Sequence, residues 1–402
     1  MRKGEVRAAD EHGAVVELCR RPEVRGGDAA TLAPLADPAG LEAALRLAAA
    51  HRVLGLFASS ALAAHDAGQV ALADPAHLTD LCRALRRRAA LFHLRRDAVV
   101  AALHRAGIPV VLLKGIAVAE SLYDEPFHRE FEDLDILVRR HALDEAVQAL
   151  APLGYTTPAD RRRELAYLRH HFHMFLEHPS ARALEVHWDF SFPGLAFRMD
   201  PDAVFAGARP LRPNSPGGAP MVPRPEHMVL HLVLENIQEG FSRLGRLVDL
   251  DRLAVAAEGI DWDFLGYEAR RGGLAHPTWA TVRLARELMH TEIPEEAIAG
   301  LRPTGIAAAH LRLYDLRDEL LRQSLLAEQG RRDLVEVWML PGAAARLRHI
   351  VRWLRIDPFL EGASRKRRGP IVRVLRVAKL GLTHVAAYGG ALRGPHSAHT
   401  RF

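Results

Sequence analysis

The strongest constraint on the fold is a change in the spacing of apolar residues near residue 107. Before that point apolar side chains recur at helical spacing. This predicts one helix over residues 41–68 and a second over 75–106, with Leu91 and Leu94 on the buried stripe of the second. Beyond it the apolar residues form short β-branched runs that are too brief for helices. A chain that changes period in this way must place a sheet beside helices.

The strands of that sheet are predicted by four short apolar runs, at residues 108–113, 134–138, 172–177 and 183–189. Helical spacing returns between them, over residues 116–123 and 141–150. Pro179-Ser180 lies between the third and fourth runs and predicts a hairpin. These elements together predict an α+β module of helices and a small mixed sheet.

Proline and glycine divide the rest of the chain. Residues 207–225 are rich in both, which predicts a linker with at most one short strand at Met221-Val222. We therefore predict five regions: an irregular lead-in at 1–38 with room for one short element, an N-terminal helical region at 39–106, the α+β core at 107–206, the linker at 207–225, and a C-terminal helical domain with a basic tail at 226–402.

The composition is that of a soluble globular chain, with 49% apolar and 26% charged residues. No apolar run approaches the roughly 20 residues that a membrane-spanning helix needs. The acids Glu5, Asp10 and Glu11 oppose an export signal. Two cysteines, Cys19 and Cys82, are too few for a disulfide framework and favour a reducing compartment. We expect a cytoplasmic protein with no membrane span.

The net charge of +5 is weak evidence for a nucleic-acid partner, because only four of the 54 basic residues are lysines. Arginine fills nearly every other cationic position of the helical surface. Lys3, Lys366 and Lys379 lie near the termini, whereas Lys114 follows a predicted buried strand. A nucleic-acid partner is therefore not favoured, and Lys114 needs an explanation of its own.

Asp133-Leu-Asp135 opens the second predicted strand. Residues two apart on a strand share a face, so the two carboxylates lie roughly 6 to 7 Å apart on one side of the sheet. Like charges this close are unfavourable unless a cation lies between them. A hard divalent ion with phosphate co-ligands suits them. An isolated Asp-x-Asp pair is also common on solvent-facing strand edges, so the pair alone decides nothing.

Lys114-Gly115 lies where the first predicted strand ends and a helix begins. The backbone N–H groups of a helix N-terminus attract phosphate. A lone lysine in an arginine-rich chain also indicates a site that needs a compact ammonium group. Arg129, in the loop before the aspartates, is a second candidate phosphate contact. The competing explanations are a lysine that reaches solvent and an Arg129 that pairs with Glu130 or Glu132.

A third acid lies in the fourth predicted strand. Glu185, His187 and Asp189 alternate along it and share one face. If this strand lies beside Leu134–Val138, Glu185 joins the two aspartates in a site for two metal ions. Asp189 is the alternative third carboxylate.

These motifs together resemble the polymerase-β-like nucleotidyltransferase superfamily, and more closely a poorly characterised bacterial branch called the nucleotidyltransferase family proteins. The segments that carry the resemblance are Leu112-Leu-Lys-Gly115, Tyr123, Pro126, Arg129, Asp133-Leu-Asp-Ile-Leu-Val138 and Leu184-Glu-Val186. The resemblance extends to the helical stretch from Leu41, to residues 219–227 and to residues 244–250, and it covers residues 40–290.

The resemblance implies an enzyme that uses Mg²⁺ or Mn²⁺ to move an NMP group from an NTP, most simply ATP, to an acceptor hydroxyl of a small molecule, peptide or protein. The residues to which it gives roles are the metal-binding and catalytic acids Asp133, Asp135 and Glu185 and the nucleotide-binding residues Lys114, Gly115 and Arg129. In the superfamily a Gly-Ser pair usually follows the first strand. Here Lys114-Gly115 keeps a glycine and replaces the hydroxyl with a charge.

Three alternative functions remain. An RNA-directed transferase of the toxin-like kind would use the basic cluster Arg365–Arg368 and the amphipathic run 371–382. A non-catalytic nucleotide-binding protein would retain the fold alone. A zinc hydrolase would use His227, His231 and Glu235, which fall four apart on one helical face, although the packing of an amphipathic helix explains them more simply.

Two further patterns have structural explanations. His170-His-Phe-His173, with His178, fits no standard metal-site spacing and predicts a loop with solvated histidines. Arg246 and Asp249 lie three apart on a predicted helix and predict an ion pair.

Overall fold

The computed structural model describes residues 10–157, 168, 171–179, 183–193, 195–211, 220–256, 259–311, 316–322 and 335–355. The predictions for the basic cluster Arg365–Arg368 and for the amphipathic run 371–382 concern residues outside this part of the chain.

Helices form the N-terminal part. Their bounds are α1 Glu11–Cys19, α2 Ala29–Leu32, α3 Pro38–Ala50, α4 Leu54–Asp66 and α5 Pro75–Arg105. The Asp74 carboxylate accepts a hydrogen bond from the backbone N–H of His77 at the start of α5, and Gly107, with a φ of 71°, follows its end. The helix predicted over 75–106 is confirmed. The lead-in predicted to hold at most one short element contains two helices, α1 and α2, and α1 packs against α3 and α4.

One mixed sheet occupies the middle of the chain. Its strands and the helices between them are β1 Val111–Leu112, α6 Lys114–Leu122, β2 Leu134–Leu137, α7 Leu143–Leu150, β3 His173–Leu176, β4 Leu184–His187, α8 Pro201–Ala206, β5 Arg209–Pro210 and β6 Met221–Val222. The strand order is β3-β4-β2-β1-β6-β5. β2 runs parallel to β4 and β1 runs parallel to β6, whereas β1–β2, β3–β4 and β5–β6 are antiparallel.

The four predicted strands are therefore present, each shorter than its apolar run, and the short strand at Met221-Val222 is confirmed. β5 falls within the predicted linker and pairs with β6. A mixed sheet flanked by helices confirms the coarse α/β prediction.

Helices return after β6. They are α9 Pro225–Gln238, α10 Leu244–Val255, α11 Trp262–Arg271, α12 Ala275–Met289, α13 Glu295–Ala299, α14 Gly305–Leu311, α15 Leu316–Arg322 and α16 Ala343–Arg355. α9 is buried along most of its length and packs against α10, α11 and α12. Both α9 and α10 also contact α6. One hydrophobic core therefore continues from the sheet into the C-terminal helices.

The single helix predicted over residues 41–68 is wrong. The chain breaks at His51-Arg52-Val53 between α3 and α4, and Arg52 adopts a φ of 61°. The left-handed region is unfavourable for a side chain with a Cβ. Apolar residues keep their helical spacing across the break, so the pattern does not reveal it.

The prediction for Leu91 and Leu94 is also wrong, because each side chain is 67% exposed. The core-facing stripe of α5 advances in steps of four and three, and the two leucines fall between its positions. The stripe consists of Leu78, Cys82, the partly buried Leu85, Ala89, Phe92, Arg96, Val99 and Leu103.

The two cysteines, Cys19 and Cys82, are buried and unpaired. Within the part of the chain that the structure describes, every helix is too short or too polar to cross a bilayer.

Candidate functional site

An acidic pair lies on two adjacent strands at the centre of the sheet. Asp135 on β2 and Glu185 on β4 are directly opposite each other, because the two strands run parallel and in register. Directly opposite residues share a face of the sheet, with their Cβ atoms about 5 Å apart. The expectation that Glu185 joins the aspartates is therefore consistent with the register. Asp189 lies farther along, beyond the end of β4.

Lys114 lies against this pair. Its Nζ is 2.6 Å from Asp135 Oδ1, 3.3 Å from Glu185 Oε2 and 3.9 Å from Glu235 Oε1 on α9. The backbone N–H of Leu113 donates to the carbonyl of Asp135, which fixes the start of α6 beside β2. The explanation that Lys114 reaches solvent is wrong, since its side chain is 20% exposed and is turned toward the acids.

The backbone of Lys114 is strained. Its φ of 50° lies in the left-handed region, which costs a residue with a Cβ roughly 1–2 kcal/mol. The ion pairs of the side chain offset this cost. Burial acts to lower the pKa of Lys114, but the negative charges of Asp135, Glu185 and Glu235 outweigh it and raise the pKa above its ordinary value. The ammonium group is therefore permanently charged.

His187 completes the cluster. Its Nε2 lies 2.9 Å from Asp135 Oδ1 and 3.2 Å from Glu185 Oε2, and the ring is almost completely buried. Burial acts to raise the pKa of Glu185, but the hydrogen bond with His187 and the charge of Lys114 lower it below its ordinary value. Glu185 is thus an anion at neutral pH.

Asp133 is half-buried at the mouth of this cluster. Burial, followed by the charge of Asp135, raises the pKa of Asp133 to about 6. Such like-charge repulsion is relieved when a cation binds. Asp133 also lines a cleft of about 190 Å³ between the sheet module and the C-terminal helices.

Gly115 lies at the floor of the cleft. A Cβ at this position would be 2.4 Å from Cβ of Phe131, well inside contact distance. The residue after Lys114 must therefore be a glycine for Phe131 to keep its place. Gly115 and Lys114 border the cleft, and the Phe131 side chain packs against Gly115.

Arg129 also borders the cleft, but its guanidinium is bound within the protein. Its Nε lies 2.7 Å from Asp249 Oδ2, and Tyr123 Oη donates to Asp249 Oδ1 at 2.6 Å. The alternative in which Arg129 pairs with the carboxylate of Glu130 or Glu132 is wrong, and Arg129 Nη1 donates instead to the backbone carbonyl of Glu130. Glu130 accepts from the backbone N–H of Leu54, and Glu132 pairs with an arginine on another segment.

The opposite wall of the cleft comes from residues that the sequence did not assign to it. Arg246 on α10 donates to Glu239 at 2.9 Å and lies 3.6 Å from Glu235, and Arg243 donates to Glu239 at 3.1 Å. Arg52, at the break between α3 and α4, faces the same space. The ion pair predicted between Arg246 and Asp249 is wrong, because each side chain is buried against a partner on another element.

Asp189 does not join the acidic cluster. Its carboxylate accepts from the backbone N–H of Phe190 at 2.7 Å and borders a separate cleft of about 550 Å³ with Arg198 and Arg271. The geometry thus favours Glu185 as the third acid.

The histidines of α9 do not converge on a metal position. His227 packs against Phe264 and His231 against Phe190, with ring centroids 5.7 and 5.1 Å apart. Their packing agrees with the explanation that these histidines belong to the packed face of an amphipathic helix.

The acids are suited to bind a divalent cation. Asp133, Asp135 and Glu185 bring three carboxylates to one place, whereas Lys114 supplies the positive charge nearest to them. An excess of negative charge and a set of oxygen donors are the properties that Mg²⁺ and Mn²⁺ sites share.

A mixed α/β fold with such an acidic cluster on its sheet is consistent with a nucleotidyltransferase domain. A family model described as "Uncharacterised nucleotidyltransferase" matches residues 37–290, which is well over half of the chain. The protein therefore belongs to this nucleotidyltransferase family, and the family part of the predicted resemblance is confirmed. No curated protein matches the chain.

Proposed function

We propose that the protein is a cytoplasmic, Mg²⁺- or Mn²⁺-dependent nucleotidyltransferase with a polymerase-β-like core, and that it transfers an NMP group from an NTP to an acceptor hydroxyl. The observation that carries the proposal is the register of Asp135 opposite Glu185, with Asp133 beside them at the cleft. Family membership supports the same chemistry.

The metal would be held by Asp133, Asp135 and Glu185. A divalent ion bound to such carboxylates stabilises the charge that develops on the transferring phosphoryl group. The low pKa of Glu185 suits a residue that must remain a carboxylate, and His187 keeps it oriented. Metal affinity at this site is set by how closely the three acids are held.

The nucleotide would lie across the start of α6. Lys114 supplies a fixed positive charge, and the backbone N–H groups at the start of α6 would attract phosphate oxygens. Arg129 borders the same cleft, and its Asp249 partner holds it in place. ATP is the proposed donor.

The transfer itself would be an in-line displacement. The oxygen of the acceptor hydroxyl forms a bond to the α-phosphorus while the bond from that phosphorus to the bridging oxygen breaks, and pyrophosphate leaves with the electron pair. A carboxylate of the acidic cluster takes the hydroxyl proton. The protein's part is to position the two reactants and to stabilise the developing charge.

The acceptor would enter from the side of α9 and α10, where Glu235, Glu239, Arg243 and Arg246 form the other wall of the cleft. These side chains include two acids and two arginines, which suit a small polar molecule or a peptide side chain. A nucleic-acid acceptor is less favoured, because the net charge of +5 is small and comes almost entirely from arginines spread over the chain.

The test uses ATP labelled at either the α- or the γ-phosphate, with Mg²⁺, the full chain and an extract or acceptor library. The proposal expects a labelled acceptor when the α-phosphate of ATP carries the label, and an unlabelled acceptor when the γ-phosphate carries it. Asp135→Asn should lower the transfer by at least about 100-fold, because it removes charge from the reacting centre. Asp189→Asn is the matched control, since Asp189 borders the other cleft.

Transfer of the γ-label alone would replace the proposal with a kinase-like reaction. Failure of the wild-type protein to bind any NTP in calorimetry with Mg²⁺ would overturn it in favour of a non-nucleotide function. If Asp133→Asn and Asp135→Asn changed no nucleotide-dependent property, the acids would have no part in the function.

A further inference from the structure

Histidines extend the acidic face of the sheet toward its outer edge. β3 and β4 are antiparallel and in register, with His173 directly opposite His187, and Glu185 lies two residues from His187 on the same face. One ligand atom from each of His173, Glu185 and His187 lies within 4.8 Å of the others. Among the described residues, this is the group of metal-ligating side chains whose atoms converge.

The prediction of solvated histidines at His170–His173 is therefore wrong for the residues that the structure describes. His171 is 7% exposed, and His173 is half-buried on β3. Imidazole nitrogens are common metal ligands.

Two nitrogens of the cluster lack a partner. The Nδ1 atoms of His173 and His187 are buried and accept or donate no hydrogen bond in the described part of the chain. His187 is 1% exposed, so solvent does not satisfy it. A buried polar atom without a partner is costly, and the Nδ1 of His173 is such an atom. His187 faces Glu185 with its Nε2 instead, so Nε2 is its ligand atom in this cluster.

The donor set differs from that of the all-carboxylate site. Two imidazoles and one carboxylate favour first-row transition metals, whereas Mg²⁺ prefers oxygen ligands alone. The 3.2 Å between Glu185 Oε2 and His187 Nε2 is close to the roughly 3.3 Å that separates two tetrahedral ligands with bonds of about 2.0 Å.

We propose that His173, Glu185 and His187 bind a transition-metal ion, Zn²⁺ or Mn²⁺, beside the all-oxygen site, with Glu185 shared between the two. The proposal deepens the proposed function and depends on it only through the shared Glu185. Because the two sites differ in their donor atoms, we expect them to bind two different metals. The imidazole site takes its metal whether or not a nucleotide is bound.

Co²⁺ is a suitable probe, because its visible absorption reports nitrogen ligation and four-coordinate geometry. The full chain, treated with a chelator and dialysed, is titrated with Co²⁺ in the presence of excess Mg²⁺. We expect one equivalent of Co²⁺ to bind with a strong visible band, and Zn²⁺ to remove the band. Loss of a ligand in His173→Gln should weaken Co²⁺ binding by more than about 100-fold, since even changes outside the ligands cost 10- to 100-fold.

His178→Gln is the matched control, because His178 lies five residues along the chain and its Nε2 contacts the carbonyl of Leu153 instead. Asp133→Asn should keep the Co²⁺ band, since Asp133 is not among the three ligands. Circular dichroism of each variant shows that the fold is retained.

Absence of the band in the wild-type protein, or an equal band in folded His173→Gln, would overturn the inference. Its failure is separable from failure of the proposed function, because Co²⁺ binding is read without nucleotide and α-label transfer is read in a separate assay. Transfer of the α-label without a Co²⁺ band would contradict only the imidazole site. A Co²⁺ band without transfer of the label would contradict only the proposed reaction.

Discussion

Lys114 Nζ lies 2.6 Å from Asp135 Oδ1 and 3.3 Å from Glu185 Oε2, and so bridges two carboxylates of the acidic cluster. The lysine comes from the start of α6 and the aspartate from β2, and the hydrogen bond from Leu113 N–H to the Asp135 carbonyl fixes both. The ammonium group is thus a built-in counter-ion of the acidic cluster. Under the proposed function it would compete with divalent cations before nucleotide binds and would pair with phosphate afterwards.

Lys114→Met removes this charge and keeps a side chain of similar length. We expect divalent cations to bind more tightly in the absence of nucleotide, because Asp135 and Glu185 then lack their nearest cation. Nucleotidyl transfer should fall by roughly 10²- to 10³-fold, which is typical for loss of one group that stabilises a transition state. Mn²⁺ titration by calorimetry and the α-label assay measure the two effects.

Lys114→Arg is the control, since it retains the positive charge and should keep a Mn²⁺ affinity close to that of the wild type. An unchanged Mn²⁺ affinity in folded Lys114→Met would contradict the counter-ion role.

Gly115→Ala tests the close contact at the floor of the cleft. The new Cβ would lie 2.4 Å from Phe131 Cβ, so Phe131 or the start of α6 must move. We expect the free energy of unfolding to fall by about 1–3 kcal/mol, as for other overpacked positions. NTP affinity should fall as well, because the displaced ring narrows the cleft. Urea denaturation and calorimetry measure these quantities.

Gly266→Ala, in the middle of α11, is the matched control. The nearest atom to its new Cβ is 3.6 Å away, so the substitution should raise stability by about 0.5–1 kcal/mol through helix propensity. Equal stability changes for the two alanine variants would mean that Phe131 yields easily and that the contact has no role.

Local patterns predicted much of the core. The strand that holds Asp135, the strand that holds Glu185 and the helix over 75–106 follow from periodicity and from caps that lie nearby in the sequence. Such signals depend on residues a few positions apart, so a single sequence contains them in full.

The opposite wall of the cleft could not be predicted in this way. Arg52 lies far before Asp135 in the chain and Glu239 and Arg246 lie far after it, so nothing in their local spacing relates them to Asp135. Arg246 and Asp249 show the same limit, since a spacing of three residues made them neighbours on a helix while tertiary packing gave each a different partner. Partner choice among buried charges is decided by the fold.

Asp249→Asn tests one of those partner choices. Asp249 is completely buried and accepts from Arg129 Nε and Tyr123 Oη. Removing its charge leaves the Arg129 guanidinium buried and uncompensated, which should lower the free energy of unfolding by about 3–5 kcal/mol. Urea denaturation at pH 7.5 gives the value.

Asp80→Asn is the comparison, because the Asp80–Arg83 pair is exposed and its loss should cost less than about 1 kcal/mol. An equal fall in the free energy of unfolding for the two variants would contradict the role of Asp249 as the partner of buried Arg129.

His51 makes stability depend on pH. Its Nδ1 accepts from the backbone N–H of Leu244 and its Nε2 lies 3.3 Å from the carbonyl of Leu321, so this one ring joins the end of α3 to α10 and α15. Burial, helped by the positive charges of His12 and Arg243, lowers the pKa of His51 to about 4 although the Leu321 carbonyl opposes it. The ring is therefore neutral in the folded protein over most of the acid range.

Because the folded pKa is below the unfolded value of about 6.5, the unfolded chain binds the extra proton first as the pH falls. The stability that neutral His51 contributes is complete above pH 6.5 and is lost progressively down to about pH 4, by up to about 3 kcal/mol. His51→Gln removes this titration, so the difference in free energy of unfolding between wild type and variant should narrow as the pH falls from 7.5 to 4.5. Other buried histidines, such as His231, titrate in both proteins and cancel in the comparison. Urea denaturation at pH 7.5, 6.0 and 4.5 measures the difference, and a constant gap across the three values would show that His51 does not titrate with folding.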